Sequence, residues 1–323
     1  MKEKAVTGKQ VFIVSSLTVL LGLSGAHVAV AAEGASSNYF PGGYGDYAVA
    51  TAPSPGFIYL NYNLFVDASV DRTMLQGRVN ADFNTFAYVN MSTLVYAFDE
   101  PVLGSQFAMA AFLPLGYADF DAQLAGPSGA VDVDDSTTAL GDITLMPASF
   151  YWNDGNWHFN LYELVVAPTG EYDVDNDINF GRNYWSFDTV FAMTNLNMEN
   201  GREFSLVAGY MINGENDDTD YDTGNELHID AMFNQFFSET FALGLHGYYY
   251  KQLGGDSGSG AILGDFKGDS YGIGPSFLWI PESGGGTFSV SGTWLHDLDA
   301  SNRLESDYVV VTLAWQFGGA GSN

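Results

Sequence analysis

The chain has 323 residues, 39 of them Asp or Glu and 10 Lys or Arg, for a formal net charge of −29. That balance excludes a nucleic-acid binder, whose phosphate-facing surface must be basic, and the absence of cysteine excludes a disulfide framework and thiolate metal sites. Aromatic residues at 15% and 38 glycines suit twisted sheets better than helices.

The first 32 residues carry Lys2, Lys4 and Lys9, an apolar core from Val11 to Leu23 and small residues ending at Ala31 and Ala32. This is the pattern of a secretory signal peptide. Beyond it no stretch is apolar for long enough to cross a membrane as a helix, so a membrane-embedded mature chain has to be a closed barrel. Residues 33–56, rich in Gly, Pro and Ser, predict an irregular segment. Two placements stay open for it: the periplasm, or the barrel lumen as a partial plug.

Alternation of period two predicts about twelve strands, at 57–66, 84–97, 106–117, 139–152, 156–167, 185–196, 203–213, 225–237, 241–251, 270–280, 286–296 and 308–317. Long segments follow the odd-numbered strands, at 67–83, 118–138, 168–184, 214–224, 252–269 and 297–307, and short turns such as 153–155, 238–240 and 281–285 follow even-numbered ones. The expected fold is all-β, a transmembrane antiparallel β-barrel over 57–317 with long extracellular loops, short periplasmic turns and a tail at 318–323. Pro114, Pro147 and Pro275 fall inside expected strands and make those bounds the least secure. In the last strand Val309, Val311, Leu313, Trp315 and Phe317 share one face, suited to lipid, and its aromatic end is similar to the assembly signal of outer-membrane proteins. Glu163 is out of place on the lipid face of the fifth strand unless a bulge re-aims it.

Lumen positions follow from the same alternation. Met211 on the seventh strand, His228, Asp230 and Met232 on the eighth, and His246, Tyr248 and Tyr250 on the ninth are expected to face inward, with Tyr88, Asn90, Ser92 and Tyr96 on the second and His158, Asn160 and Tyr162 on the fifth. These residues suit binding steps that hold a small ligand by stacking and hydrogen bonds. They equally suit a polar network filling a small barrel, and both readings stay open. No serine is marked as a nucleophile beside a histidine, so neither catalysis nor a cofactor is expected. The acidic runs at 131–135, 171–177 and 214–222 include Asp217, Asp218, Asp220 and Asp222, which have the oxygens for a loop Ca²⁺ without the ordered ligand pattern of a calcium loop. The Gly-rich run at 253–268 lacks the Lys-Ser/Thr ending of a phosphate cradle and is expected to be a flexible loop.

From about 39 to 317 the chain resembles the outer-membrane transporter family named for the meta-pathway of phenol degradation, distantly like the long-chain fatty-acid channels. The stretches that carry the resemblance are PGGYGD at 41–46, GDITLMP at 141–147, APTGEYD at 167–173, NFGRNYWSFD at 179–188, GYMINGENDDTDYDTGNELHID at 209–230, GYYYKQLGGDSGSG at 247–260, GIGP at 272–275 and NRLESD at 302–307. The resemblance implies an outer-membrane channel for passive uptake of hydrophobic or aromatic small molecules, in contact with outer-membrane lipid and lipopolysaccharide, and carries no catalytic motif. The competing expectation is a structural or surface-interaction barrel whose acidic loops bind divalent cations or lipopolysaccharide.

Overall fold

The computed structural model describes residues 37–74, 79–126, 129–176, 178–261, 265, 267–281 and 288–317. The expected signal peptide and the tail at 318–323 lie outside the described residues, as does most of the turn at 281–285. The strands in chain order are β1 (Gly56–Met74), β2 (Val79–Ala97), β3 (Gln106–Gly126), β4 (Gly129–Leu140), β5 (Thr144–Asp154), β6 (Trp157–Val166), β7 (Ser186–Asn197), β8 (Arg202–Asn213), β9 (Glu215–Asn216), β10 (Tyr221–Asp222), β11 (Glu226–Ser238), β12 (Phe241–Gln252), β13 (Asp269–Trp279), β14 (Phe288–Ser301) and β15 (Glu305–Phe317). All but the two-residue β9 and β10 join one antiparallel sheet, which closes where β1 pairs with β15 from Phe57↔Phe317 to Ser69↔Glu305. The result is a closed twelve-position barrel, because β4 and β5 share one position. β3 pairs with β5 through Phe112 and with β4 from Leu115 onward.

The expected strand at 139–152 is therefore broken at 141–143. Pro114 stands where β3 changes partner, and its carbonyl accepts the Gly141 amide at 3.1 Å. A proline has no N–H to contribute to a ladder, so it is tolerated at such a gap. Backbone from 167–171 and 181–182 fills the gap: Asp142 accepts the amides of Thr169, Gly170 and Arg182 at 2.7–2.9 Å. Only glycine fits there, since a Cβ on Gly170 would come within 2.7 Å of Gly141 and one on Gly181 within 2.8 Å of Gly170. The other two prolines also mark irregular ladder. Pro147 lies in a bulge between Leu145 and Ala148 opposite β6, and the β13–β14 pairing skips Pro275. The bulge sits beside Glu163 but does not turn it inward; Glu163 stays on the outer wall and accepts the Thr189 hydroxyl at 2.7 Å.

Three expected loops are shorter than the spacing suggested. Residues 67–74 and 79–83 extend β1 and β2, 118–126 and 129–138 extend β3 and β4, and β14 runs on to Ser301. Polar side chains in these extensions hid the strands, because alternation against lipid stops at the membrane edge while the ladder continues into water.

The outer wall carries the apolar rows. Phe57, Tyr96, Trp152, Trp157, Phe241, Trp279 and Phe317 form an exposed aromatic belt at the short-turn end, and Phe65, Trp185, Phe187, Tyr210, Tyr271 and Trp294 form another toward the long-loop end. Rings with one polar edge favour the two membrane interfaces, and the band between them is what lipid would cover.

Candidate functional site

Residues 37–55 run inside the barrel and are bonded to its inward face. The inward positions from Glu226 to Asn234 on β11, and Ala242, His246, Tyr248, Tyr250 and Gln252 on β12, are buried because the alternation points them at the lumen and the segment fills that space. Tyr39 donates its hydroxyl to both oxygens of Asp230 at 3.2 Å, and Tyr44 donates to Asp188 at 2.7 Å. The Ala48 amide donates to Glu203 at 2.8 Å, Asn234 donates to the Asp46 carbonyl at 2.8 Å, and Tyr47 shares a 3.1 Å bond with Ser276. Ser37 donates to Glu226.

At the centre lies a chain of carboxylates and imidazoles. Nδ1 of His246 donates to Asp46 at 2.8 Å and Nε2 to Asp230 at 2.9 Å. Nε2 of His228 donates to Asp188 at 3.0 Å, while Nδ1 faces Asp230 at 3.8 Å, beyond hydrogen-bond reach. The rings of Tyr39 and Tyr44 lie 4.5 and 4.4 Å from that of His228, Tyr39 stacks on Tyr250 at 5.7 Å, and the Arg303 guanidinium lies 4.0 Å from the Tyr250 ring. Fully buried ionisable groups persist only when paired and hydrogen-bonded. The arrangement is thus a latch in which one acid, Asp230, holds both the segment and the wall.

Gly209 makes the latch possible. It faces His228 across β8 and β11, and a Cβ there would come within 2.0 Å of Nε2. Gly209→Ala is expected to push the ring off Asp188 and cost about 1–3 kcal/mol, as overpacking does, read as an earlier thermal unfolding of the folded barrel in detergent.

Of the residues expected in the lumen, Met211, His228, Asp230, Met232, His246, Tyr248 and Tyr250 are buried on the inward face, and all but Met211 and Met232 join the polar and ring contacts around the segment or its neighbours. Tyr248 bonds Asp297. Asn160 is buried and bonded to Ser149 at 2.9 Å. Tyr88, Asn90, Ser92 and Tyr96 are corrected: they pair with Phe65, Asn63, Asn61 and Phe57, whose row continues the outward face of β15. Their alternates, including Val89, Val95 and Ala97, face inward instead, against the segment and a buried apolar cluster. The rule of a polar lumen fails where protein or apolar side chains, not water, fill it. Asp46, Asp188, Glu203, Glu226, Tyr39 and Tyr44 were missed. Their signal was available as Asp188, Glu203 and Glu226 at inward strand positions and as Asp46 and the tyrosines of the YFPGGYGDY run at 39–47, but nothing in the alternation says that the two meet.

The four loop aspartates do not converge. Asp218 accepts from Asn183 at 2.9 Å, Asp220 from the Ser259 amide at 3.0 Å and Asp222 from Ser257 at 3.3 Å. The Ser259 hydroxyl and amide hold the Asp220 carboxyl below its usual range, and a hydrogen bond with Asp220 pushes Glu215 up. Among the described residues no three His, Asp or Glu side chains form a set that could hold a metal. The described part of the Gly-rich run is tied down, with Ser257 N donating to Asp222 O at 3.0 Å and Gly260 N to Asp220 O at 2.9 Å.

The family described as the putative MetA-pathway of phenol degradation matches residues 47–313, most of the chain. The chain belongs to this family. Among solved structures it is similar to an outer-membrane channel from Pseudomonas putida F1, with a TM-score of 0.68 and 17% identity over 87% of this chain and 100% of that one. It is more remotely similar to the transport unit of the autotransporter AIDA-I from Escherichia coli, at TM-score 0.41 and 11% identity over 80% of this chain and 90% of that one. The translocator domain of NalP from Neisseria meningitidis stands at TM-score 0.40 and 11% identity, covering 95% of each chain. No curated protein matches. The family and the Pseudomonas channel's fold, with an apolar band between two aromatic belts, identify a barrel of the bacterial outer membrane.

Proposed function

We propose that this family member is a non-enzymatic outer-membrane channel that admits hydrophobic or aromatic small molecules past a latched N-terminal segment. The observation that carries the reading is the chemistry of one side of the lumen. Around β1–β3, β5 and β6 the inward wall is mostly apolar, with Leu60, Val95, Phe112, Met146 and Leu164 in one cluster edged by Tyr151 and Tyr162, and with Thr93 and the bonded Ser149–Asn160 pair as its buried polar members. A water-filled pore for polar solutes is lined by polar groups; this wall offers a hydrocarbon or an aromatic ring a surface with hydroxyl tips along it. Contacts of this kind are individually weak, so a solute can enter and still leave. At the short-turn mouth a cavity of about 280 Å³ lies between the end of the segment, at Ala52, and Gln106, Tyr151 and His158. His246 and His228 spend their hydrogen bonds on carboxylates, which supports a structural rather than a catalytic use.

The test is uptake by vesicles with a lipopolysaccharide outer leaflet. The protein is expected to accelerate entry of an aromatic hydrocarbon or aromatic acid over protein-free vesicles and to leave a sugar of similar size near the background. Phe112→Asn with Leu164→Asn should remove most of that gain. Equal acceleration of sugar and aromatic would sink the solute class, and no acceleration of either would sink the channel.

A further inference from the structure

The outer wall carries a polar cluster where lipid would be expected. On the outward row of β1, Asn61 and Asn63 lie between Phe57 and Phe65; on that of β2, Asn90 and Ser92 lie between Tyr88 and Tyr96. Phe57 and Tyr96 belong to one belt and Phe65 to the other, so the amides sit within the apolar band. Leu113 and Leu115 flank them on β3 and Val309, Val311 and Leu313 on β15. Asn61 donates to Asn90 Oδ1 at 3.2 Å and to the Tyr59 hydroxyl at 3.3 Å. Asn90 donates back to Asn61 Oδ1 at 3.1 Å and to Asn63 Oδ1 at 2.9 Å. Asn63 donates to Asn61 Oδ1 at 2.9 Å and receives Tyr88 at 2.8 Å, and Tyr59 and Ser92 share a bond of 3.1 Å.

We propose that this cluster is the contact between two copies of the chain in the membrane. Hydrocarbon offers amides no partner, and each polar group left facing it costs free energy. Lipopolysaccharide sugars and phosphates stay outside the belts and do not reach this depth. A partner that does has to be another barrel. Counting donors and acceptors then points to a second copy. The bonds above use both lone pairs of Asn61 and Asn63 Oδ1 and five of the six amide hydrogens, and the sixth, on Asn63, reaches the Val311 carbonyl at 3.4 Å; what is left is one hydroxyl proton on the Tyr59–Ser92 pair, with lone pairs on Asn90 Oδ1 and on the hydroxyl oxygens. A spare donor on the Tyr59–Ser92 pair beside spare acceptors is self-complementary across a two-fold axis, the symmetry of an isologous dimer. Beside Ser92 a groove of about 330 Å³ between Tyr59, Leu94, Ala111 and Leu113 gives an apolar side chain of the second copy a seat.

The chain has no cysteine, so one introduced thiol reports one site. Leu113→Cys, beside the cluster, is compared with Ala231→Cys, outward on the far wall, by oxidation of the full-length protein in native outer membranes. A disulfide-linked dimer is expected for Leu113→Cys and not for Ala231→Cys, and is expected to be lost when Asn61, Asn63 and Asn90 are all changed to Leu in a barrel that still folds. Equal dimer from both thiols, a cross-link of Leu113→Cys to a different protein, or a dimer that survives the triple change would each overturn the proposal.

Discussion

Removing residues 37–55 from the chain is expected to turn a nearly closed barrel into an open one, seen in planar bilayers as a change from conductance close to bare lipid to resolvable steps. The barrel itself should survive. Its closure rests on the backbone ladder between β1 and β15, thirteen paired positions that do not involve the segment. What the segment supplies is volume and partners: Tyr39, Tyr44 and Tyr47 occupy the lumen and saturate Asp230, Asp188 and Ser276. Once it is gone, the acids and imidazoles face water that enters with the opening, so their hydration offsets the lost bonds. A twelve-strand barrel lies between those just wide enough to be filled by side chains and the large aqueous porins, so the emptied lumen should pass ions. Unchanged conductance would mean that the segment does not set the pore.

Asp230→Ala is expected to have the largest effect of any single substitution in the latch. Asp230 is fully buried and accepts from His246, from Tyr39 and, at longer range, faces His228. Its removal leaves an imidazole N–H and a phenol without acceptors in a dry site, and breaking a buried ion pair by deleting one partner costs about 3–5 kcal/mol. Asp230→Asn keeps the size and an acceptor for His246 and should cost less. The measurement is the midpoint of unfolding in detergent, followed as the loss of the fast-migrating folded form. Because Tyr39 is released at the same time, the Ala variant should also show more frequent channel openings than wild type; lowered stability with unchanged gating would separate the latch from the pore.

How much was legible in advance differs from element to element. The outward row Val309, Val311, Leu313, Trp315 and Phe317 could be read directly, since it is apolar at each second position while its alternates, Tyr308, Val310, Thr312, Ala314 and Gln316, are mixed. The same reasoning put His228, Asp230, His246, Tyr248 and Tyr250 on one inward face. It failed on β2, where Asn90 and Ser92 look like lumen residues and are not, because polarity reports a water-filled lumen and this lumen is filled in part by apolar wall and in part by the N-terminal segment. The break between β4 and β5 was invisible for a related reason: 139–152 reads as one continuous strand, and only the change of partner along β3 at Pro114 shows that it is two.

The sequence by itself determined that the chain forms strands, which side chains alternate along most of them, and that the product is a membrane barrel, because a period of two and the demand that every backbone group be bonded in lipid are local or global rules needing no contact map. Only the tertiary structure decided the rest. Asp46 meets His246 across 200 residues, and Tyr39 meets Asp230 across 191; which acid finds which base depends on ring closure and on where the irregular segment lies. That segment, left open between periplasm and lumen, proved to be the element around which the inward face is arranged.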